Sequence, residues 1–395
     1  MQTTAVSTNR IYSIDILRGA VMIIMALDHV RDFFHYTAFI DSPTNLMTTT
    51  PLLFFTRWIT HLCAPTFLLL SGISAYLTGQ KKTKGQLSLF LIKRGCWLIL
   101  VELFIVTLAW TFDPLYHVFI LQVIWAIGVS MIILGMLVWL PVNTILVCGL
   151  LIIFFHNLLD IPEKSADTHT GLLWNLAHHG NFTPIRLWPG HIALIVYAFL
   201  PWTGIMLLGF GLGRIFNSRF DSSRRKILLL SGSVLILIFI IFRSYNHYGD
   251  PEHWRLIRNH FYSWLSFINV SKYPPSLDYT SITIGIALIL LALLDRTSKN
   301  SFSLVRVFGR VPFFFYVLHL YLIHLLTMIL FFVQGYQIKD IRPQHSPFMF
   351  RPDNFGFGLA GVYLIWIAVI LILYPFCRSY DDYKTTHRKW WLSYI

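Results

Sequence analysis

Charge is scarce in this chain. Only 12% of its 395 residues are Asp, Glu, Lys or Arg, against about 25% in an ordinary soluble domain, so a water-facing globular surface is excluded. Cysteine is sparse too: Cys63, Cys96, Cys148 and Cys377 stand singly in apolar segments, without the paired spacing of a disulfide framework or a zinc site, and no metal is predicted. Heptads, solenoid repeats and low-complexity tracts are lacking. A cleavable leader is not expected either, because the first nine residues are polar and the first apolar block is long and interrupted by charge. The basic excess (31 Lys and Arg against 18 acids) is scattered over short loops rather than gathered in a stripe, which argues against nucleic acid as a partner.

What the chain has is hydrophobic length. Apolar residues make up 56% and fall in blocks of about 20, the length that crosses a bilayer. They predict an all-α polytopic integral membrane protein of about ten transmembrane helices, near 13–35, 51–78, 88–110, 118–139, 141–159, 191–216, 227–243, 279–295, 311–334 and 357–377. Residues 1–395 read as one membrane domain.

Loop charge sets the orientation. With the N-terminus inside, the inner set is Arg10, Arg18, Lys81, Lys82, Lys84, Lys93, Arg94, Arg214, Arg219, Arg224, Arg225, Lys226, Arg296, Lys299, Arg306, Arg310, Arg378, Lys384, Arg388 and Lys389. These are 20 of the 31 basic residues, so N-in and C-in is predicted for a multi-pass protein of the cell (inner) membrane. Two outer loops, 160–190 and 244–278, are longer than a connection needs; they either serve function or cap the bundle at the interface.

The first span is the chemically unusual one. Ser13 to Phe34 carries Asp15, Arg18, Asp28, His29, Arg31 and Asp32, and each charge at mid-bilayer costs roughly 2.5–3.5 kcal/mol, so such residues face a bundle interior and mark pathways or sites. At 100° per residue Asp15, Arg18, Met22, Met25 and His29 share one stripe. Asp28, Asp32 and His35 form a second, turned by about a quarter circle. Arg18 and His29 are separated by roughly 16 Å along the axis. Histidine exchanges a proton near neutral pH, and Asp28 or Asp32 could orient it as in a catalytic triad; the alternative is a salt-bridge knot of Arg31, Asp28 and Asp32. Glu102 and Gln122 fall inside spans and either line a tunnel or bond between helices. Arg57 and His61 share a face one turn apart, and His319, with Tyr316 near it, is a second candidate acid or base.

Blocks along nearly the whole chain resemble the bacterial relatives of the catalytic domain of lysosomal heparan-α-glucosaminide N-acetyltransferase. They are Ser13 to Gly19, Met25 to His29, Arg57 to Gly72, Lys93 to Glu102, Gln122 to Gly128, Pro201 to Gly213, Tyr273 to Leu277, Phe308 to His319 and Trp390 to Tyr394. Arg18 to His29, Arg-x10-His, is also similar to the first-helix signature of bacterial membrane O-acyltransferases that modify surface polysaccharides. The resemblance implies an acyl-CoA-dependent transferase passing acetyl, or another short acyl group, from cytoplasmic acyl-CoA to an acceptor on the far side. The acceptor implied is a carbohydrate or another hydroxyl or amine. His29 or His35 would be the base, the position matching His29 looking like asparagine in the lysosomal enzyme. Arg18, Lys93, Arg94 and Arg310 would gather at the cytoplasmic mouth for the anionic end of CoA, since arginine suits phosphate. Asp15, Arg57, His61, Glu102, Gln122 and Tyr316 are the candidate tunnel residues. The lipid bilayer is a partner and a homodimer is left open. The competing class is a proton-coupled transporter with the first helix as relay, but neither an inverted repeat nor paired broken helices support it.

Overall fold

The computed structural model describes residues 11–161, 171–297, 301–341, 347–352, 355–387 and 389–393. Arg10, Lys299, Arg388, Tyr394 and residues 162–170 of the first long loop lie outside them.

The molecule is a bundle of membrane-length helices. Seven helical stretches are long and apolar enough to cross a bilayer: Pro51–Gly79, Val142–Leu159, Phe199–Phe216, Arg224–Tyr245, Leu277–Leu294, Pro312–Val333 and Leu359–Thr386. Three more predicted spans have helices that charge or brevity sets apart. Helix α1 (Tyr12–Phe34) carries the six ionisable groups, α4 (Lys84–Val101) opens with lysine and holds Lys93 and Arg94, and α6 (Val123–Leu137) has 15 residues.

Helix α1 can keep its charges because it is the axis of the bundle. It packs against α2 (Pro51–Thr60), α3 (Cys63–Gly79), α11 (Leu277–Leu294), α12 (Ser303–Arg310), α13 (Pro312–Val333) and α14 (Leu359–Thr386). Protein rather than lipid therefore surrounds Asp15, Asp28, His29 and Arg31, all buried. Its N-terminal end is fixed by a glycine contact. A Cβ on Gly19 would lie 1.9 Å from the Val305 carbonyl oxygen, and one on Gly309 would lie 1.8 Å from that of Asp15. Only two glycines let α1 and α12 approach so closely.

Three predicted spans differ in detail. The 51–78 span breaks between α2 and α3, at His61-Leu62. Pro65 has no N–H to offer the His61 carbonyl four residues back, and that oxygen accepts instead from Tyr279 Oη at 2.8 Å. The spans expected at 118–139 and 191–216 each begin as a strand. β1 (Val118–Leu121) runs parallel to β3 (His191–Ile195), and β2 (Thr183–Trp188) pairs antiparallel on its other side, in the order β1-β3-β2. β-branched and aromatic residues with backbone partners on both sides of β3 favour the sheet, and helix resumes at Val123 and at Phe199, the start of α8 (Phe199–Leu212).

The second long loop is ordered by one buried side chain. Arg243, at the end of α9 (Arg224–Tyr245), is 2% exposed and donates to the carbonyls of Glu252, Ser266, Phe267 and Asn269 at 2.7–3.0 Å. Asp250 accepts from Ser271 and Ser276. This folds residues 246–276, with α10 (His260–Ile268), into a cap over the C-terminal end of α1.

Candidate active site

The side chain that meets His29 is a second histidine. His29 Nδ1 lies 2.7 Å from His319 Nε2, the rings stacked at 18°, and both are buried. His319 Nδ1 lies 3.1 Å from the Phe315 carbonyl oxygen. A carbonyl only accepts, so His319 Nδ1 carries the proton, and neutral His319 then presents Nε2 as an acceptor. His29 must donate from Nδ1, which leaves the lone pair on His29 Nε2, a nitrogen without a hydrogen-bond partner among the described residues. A backbone carbonyl on α13 thereby fixes the tautomer of a histidine on α1.

Neither Asp28 nor Asp32 hydrogen-bonds His29, whose partner is His319. Asp28 accepts from Arg31 Nη2 at 3.0 Å and from Arg57 Nη1, and Asp32 accepts from Arg31 Nη2 at 2.6 Å. The alternative salt-bridge knot forms, enlarged by Arg57, and occupies both carboxylates. Nearer the C-terminal end of α1, His35 bonds Thr37 and lies apart from the histidine pair.

Aromatic donors surround the pair. The Trp110 ring stands edge-on to His29 at 4.9 Å, and Tyr316 lies 6.4 Å from His29 and 5.5 Å from His319. Trp110 Nε1 and Tyr316 Oη are buried and have no close hydrogen-bond partner among the described residues apart from a long contact with each other. Trp110 had no sequence signal, being one of 13 tryptophans in an apolar run.

Tyr316 also lines a cavity of about 270 Å³ towards the N-terminal end of α1. Arg18, Arg94, Arg310 and Lys384 line it, with Met22, Phe67, Leu98 and Ile127 among its apolar walls. Arg18 bonds Ser74 Oγ at 3.0 Å and the Gly309 carbonyl at 3.2 Å, and lies 3.4 Å from Asp15; Arg310 pairs with Asp381 at 2.8 Å. Lys93 is exposed and does not line this cavity, its place in the predicted cationic group being taken by Lys384. The volume lies at the lower limit of ordinary ligand pockets, roughly 300–1,000 Å³, and the cationic lining with apolar walls suits a slender apolar arm with an anionic head.

A second, polar cavity opens at the other end of α1, lined by Arg31, Asp32, Arg57, His61, Lys272 and Tyr273 among others. Glu102 and Gln122 reach neither cavity. The fully buried Glu102 carboxylate accepts from the backbone N–H groups of Gln122 and Trp125 at 3.0 and 3.2 Å, so it caps α6 from the π turn Glu102–Val106 that follows α4. No His/Cys/Asp/Glu group suited to a metal occurs among the described residues.

These features define a polytopic helical membrane protein with a histidine pair buried between two cavities. The sequence profile of the family described as "Heparan-alpha-glucosaminide N-acetyltransferase, catalytic" matches residues 10–243, more than half of the chain, and the chain belongs to that family, one of membrane acetyltransferases. His319, Tyr316 and Arg310 lie beyond the matched segment. Comparison with curated proteins gave no match.

Proposed function

We propose that the protein moves an acetyl or other short acyl group from acyl-CoA, held in the cavity at the N-terminal end of α1, to a hydroxyl or amine of a carbohydrate acceptor entering from the opposite cavity. The N-terminal end is assigned to the cytoplasm and the membrane to the inner (cell) membrane, in keeping with the basic loops. One observation carries the proposal: the His29–His319 bond, which leaves His29 Nε2 as a proton acceptor beside Tyr316, a lining residue of the cavity with the cationic residues.

Arg18, Arg94, Arg310 and Lys384 would hold the phosphates of the donor, and the apolar walls would take its arm. The donor supplies an acyl carbon activated as a thioester. His29 Nε2 takes the proton of the acceptor hydroxyl or amine as the new C–O or C–N bond forms and the C–S bond breaks, then returns it to the departing sulfur. His319, which touches neither substrate, disperses the positive charge on His29 and keeps its tautomer. Tyr316 Oη and Trp110 Nε1 are suited to donate to the acyl oxygen as charge develops there; that would give two poorly satisfied buried donors an acceptor.

The test is acetyl-CoA binding to the detergent-purified protein, with release of free CoA thiol followed in the same sample. Saturable binding and release are expected. His29→Ala should keep binding and lose release, and Arg18→Ala or Arg310→Ala should loosen binding. Absence of binding in the unaltered protein would overturn the proposal in favour of transport.

A further inference from the structure

The outer cavity holds three polar groups that the protein does not satisfy. Lys272 is 8% exposed; its ammonium has no hydrogen bond or ion pair among the described residues and rests on the faces of Tyr197 and Tyr273 at 5.9 and 5.1 Å. Arg31 Nε and His61 Nδ1, on the same wall, are buried and without a partner. A buried cation left unpaired is costly, and two aromatic faces compensate it in part only.

Charge on this wall is unbalanced. Arg31, Arg57 and Lys272 face Asp28 and Asp32, and both carboxylates are engaged by the two arginines. Lys272 is the surplus. The remaining lining acids are Asp41, which accepts from Asn45 and Thr48, and the exposed Glu252. Both stand towards solvent, where charge is screened far more than at a buried amine.

We infer that the outer cavity recognises an acceptor that carries an acid group, a carboxylate or phosphate seated against Lys272, Arg31 Nε and His61. The inference rests on the acyl-transfer function proposed above, whose acceptor it narrows to an anionic one. The anion could sit on a soluble sugar derivative or on a lipid headgroup, and the shared chemistry is one negative charge with several acceptor oxygens.

The experiment compares glucosamine with glucosamine 6-phosphate as probes of the thermal stability of the protein in phosphatidylcholine nanodiscs, without acetyl-CoA. The phosphate ester should raise the melting temperature and the phosphate-free amino sugar should not. Lys272→Met should weaken phosphate binding by about ten-fold or more, and Lys272→Arg should keep most of it. A Lys272-dependent shift seen only when phosphatidylglycerol replaces part of the phosphatidylcholine would keep the anion site and assign it to a lipid-borne acceptor. Equal effects of the two sugars, or an unchanged response of folded Lys272→Met, would overturn the inference. Because binding is read without the donor, a phosphate shift without CoA release in the full reaction would sink the transferase proposal and leave the anion site standing.

Discussion

Replacing His319 tests the chemistry where the geometry is most specific. In His319→Ala the His29 Nδ1–H loses its 2.7 Å acceptor inside a buried site, and an unpaired buried donor costs about 1–3 kcal/mol. That energy is what favours the tautomer with its lone pair on Nε2. Without it the proton is free to occupy Nε2, where it blocks base action. At one factor of ten per 1.36 kcal/mol, the fraction of competent histidine should fall roughly 5- to 150-fold. The assay is CoA thiol release at saturating acetyl-CoA, and kcat should drop while acetyl-CoA binding stays as it was. His319→Gln offers a carbonyl oxygen in place of Nε2 and should recover much of the loss, which a merely structural role for the ring would not produce. If folded His319→Ala turned over within two-fold of the unaltered protein, or if His319→Gln were no better than alanine, the tautomer argument would fail.

Three further outcomes are expected. Tyr316→Phe and Trp110→Phe each remove one donor and keep a ring, so kcat should fall by up to about 10²–10³-fold with little change in acetyl-CoA affinity; unchanged kcat in both would place the oxyanion elsewhere. Glu102→Ala leaves the N–H groups of Gln122 and Trp125 without an acceptor and should lower the melting temperature in detergent, by about 1–3 kcal/mol for each unpaired group, and an unaltered melting curve would reject the capping role. Burial pushes the Asp160 carboxyl up, but hydrogen bonds from His178 and Asn157 outweigh it and hold it below the usual range. A depressed carboxyl stabilises the fold above its unfolded pKa, and that support is lost as pH falls through the folded one. Stability should therefore drop on acidification, less steeply in Asp160→Asn, and identical pH profiles would count against the contribution.

The first helix was readable because charge in an apolar segment is an anomaly that needs no partner to be noticed. Periodicity also set Arg18 and Met22 on one face, and both line the same cavity. The partner of His29 was harder to see. His319 lies 290 residues away and was legible only as one more mid-span histidine, since nothing in a sequence states which helices touch. Asp28 looked like its natural orienter by proximity, yet Arg57 from α2 competes for that carboxylate with a full charge. The strands were hidden because β1 and β3 are apolar enough to extend the helices that follow them. Lys272 sits in a loop without periodicity, and its importance comes only from what folds around it.

The knot of Asp28, Arg31, Asp32 and Arg57 has an electrical consequence. It lies between the outer cavity and His29, with two carboxylates against two guanidiniums, so this partition is neutral as a whole while every member of it is tethered. Moving one elementary charge across 100 mV involves about 2.3 kcal/mol, and a continuous wet passage joining the two cavities would dissipate that energy with every ion that crossed. In the transfer proposed above, this ionically locked wall would let both cavities stand open at once while the protein hands a neutral group across its middle without becoming a leak.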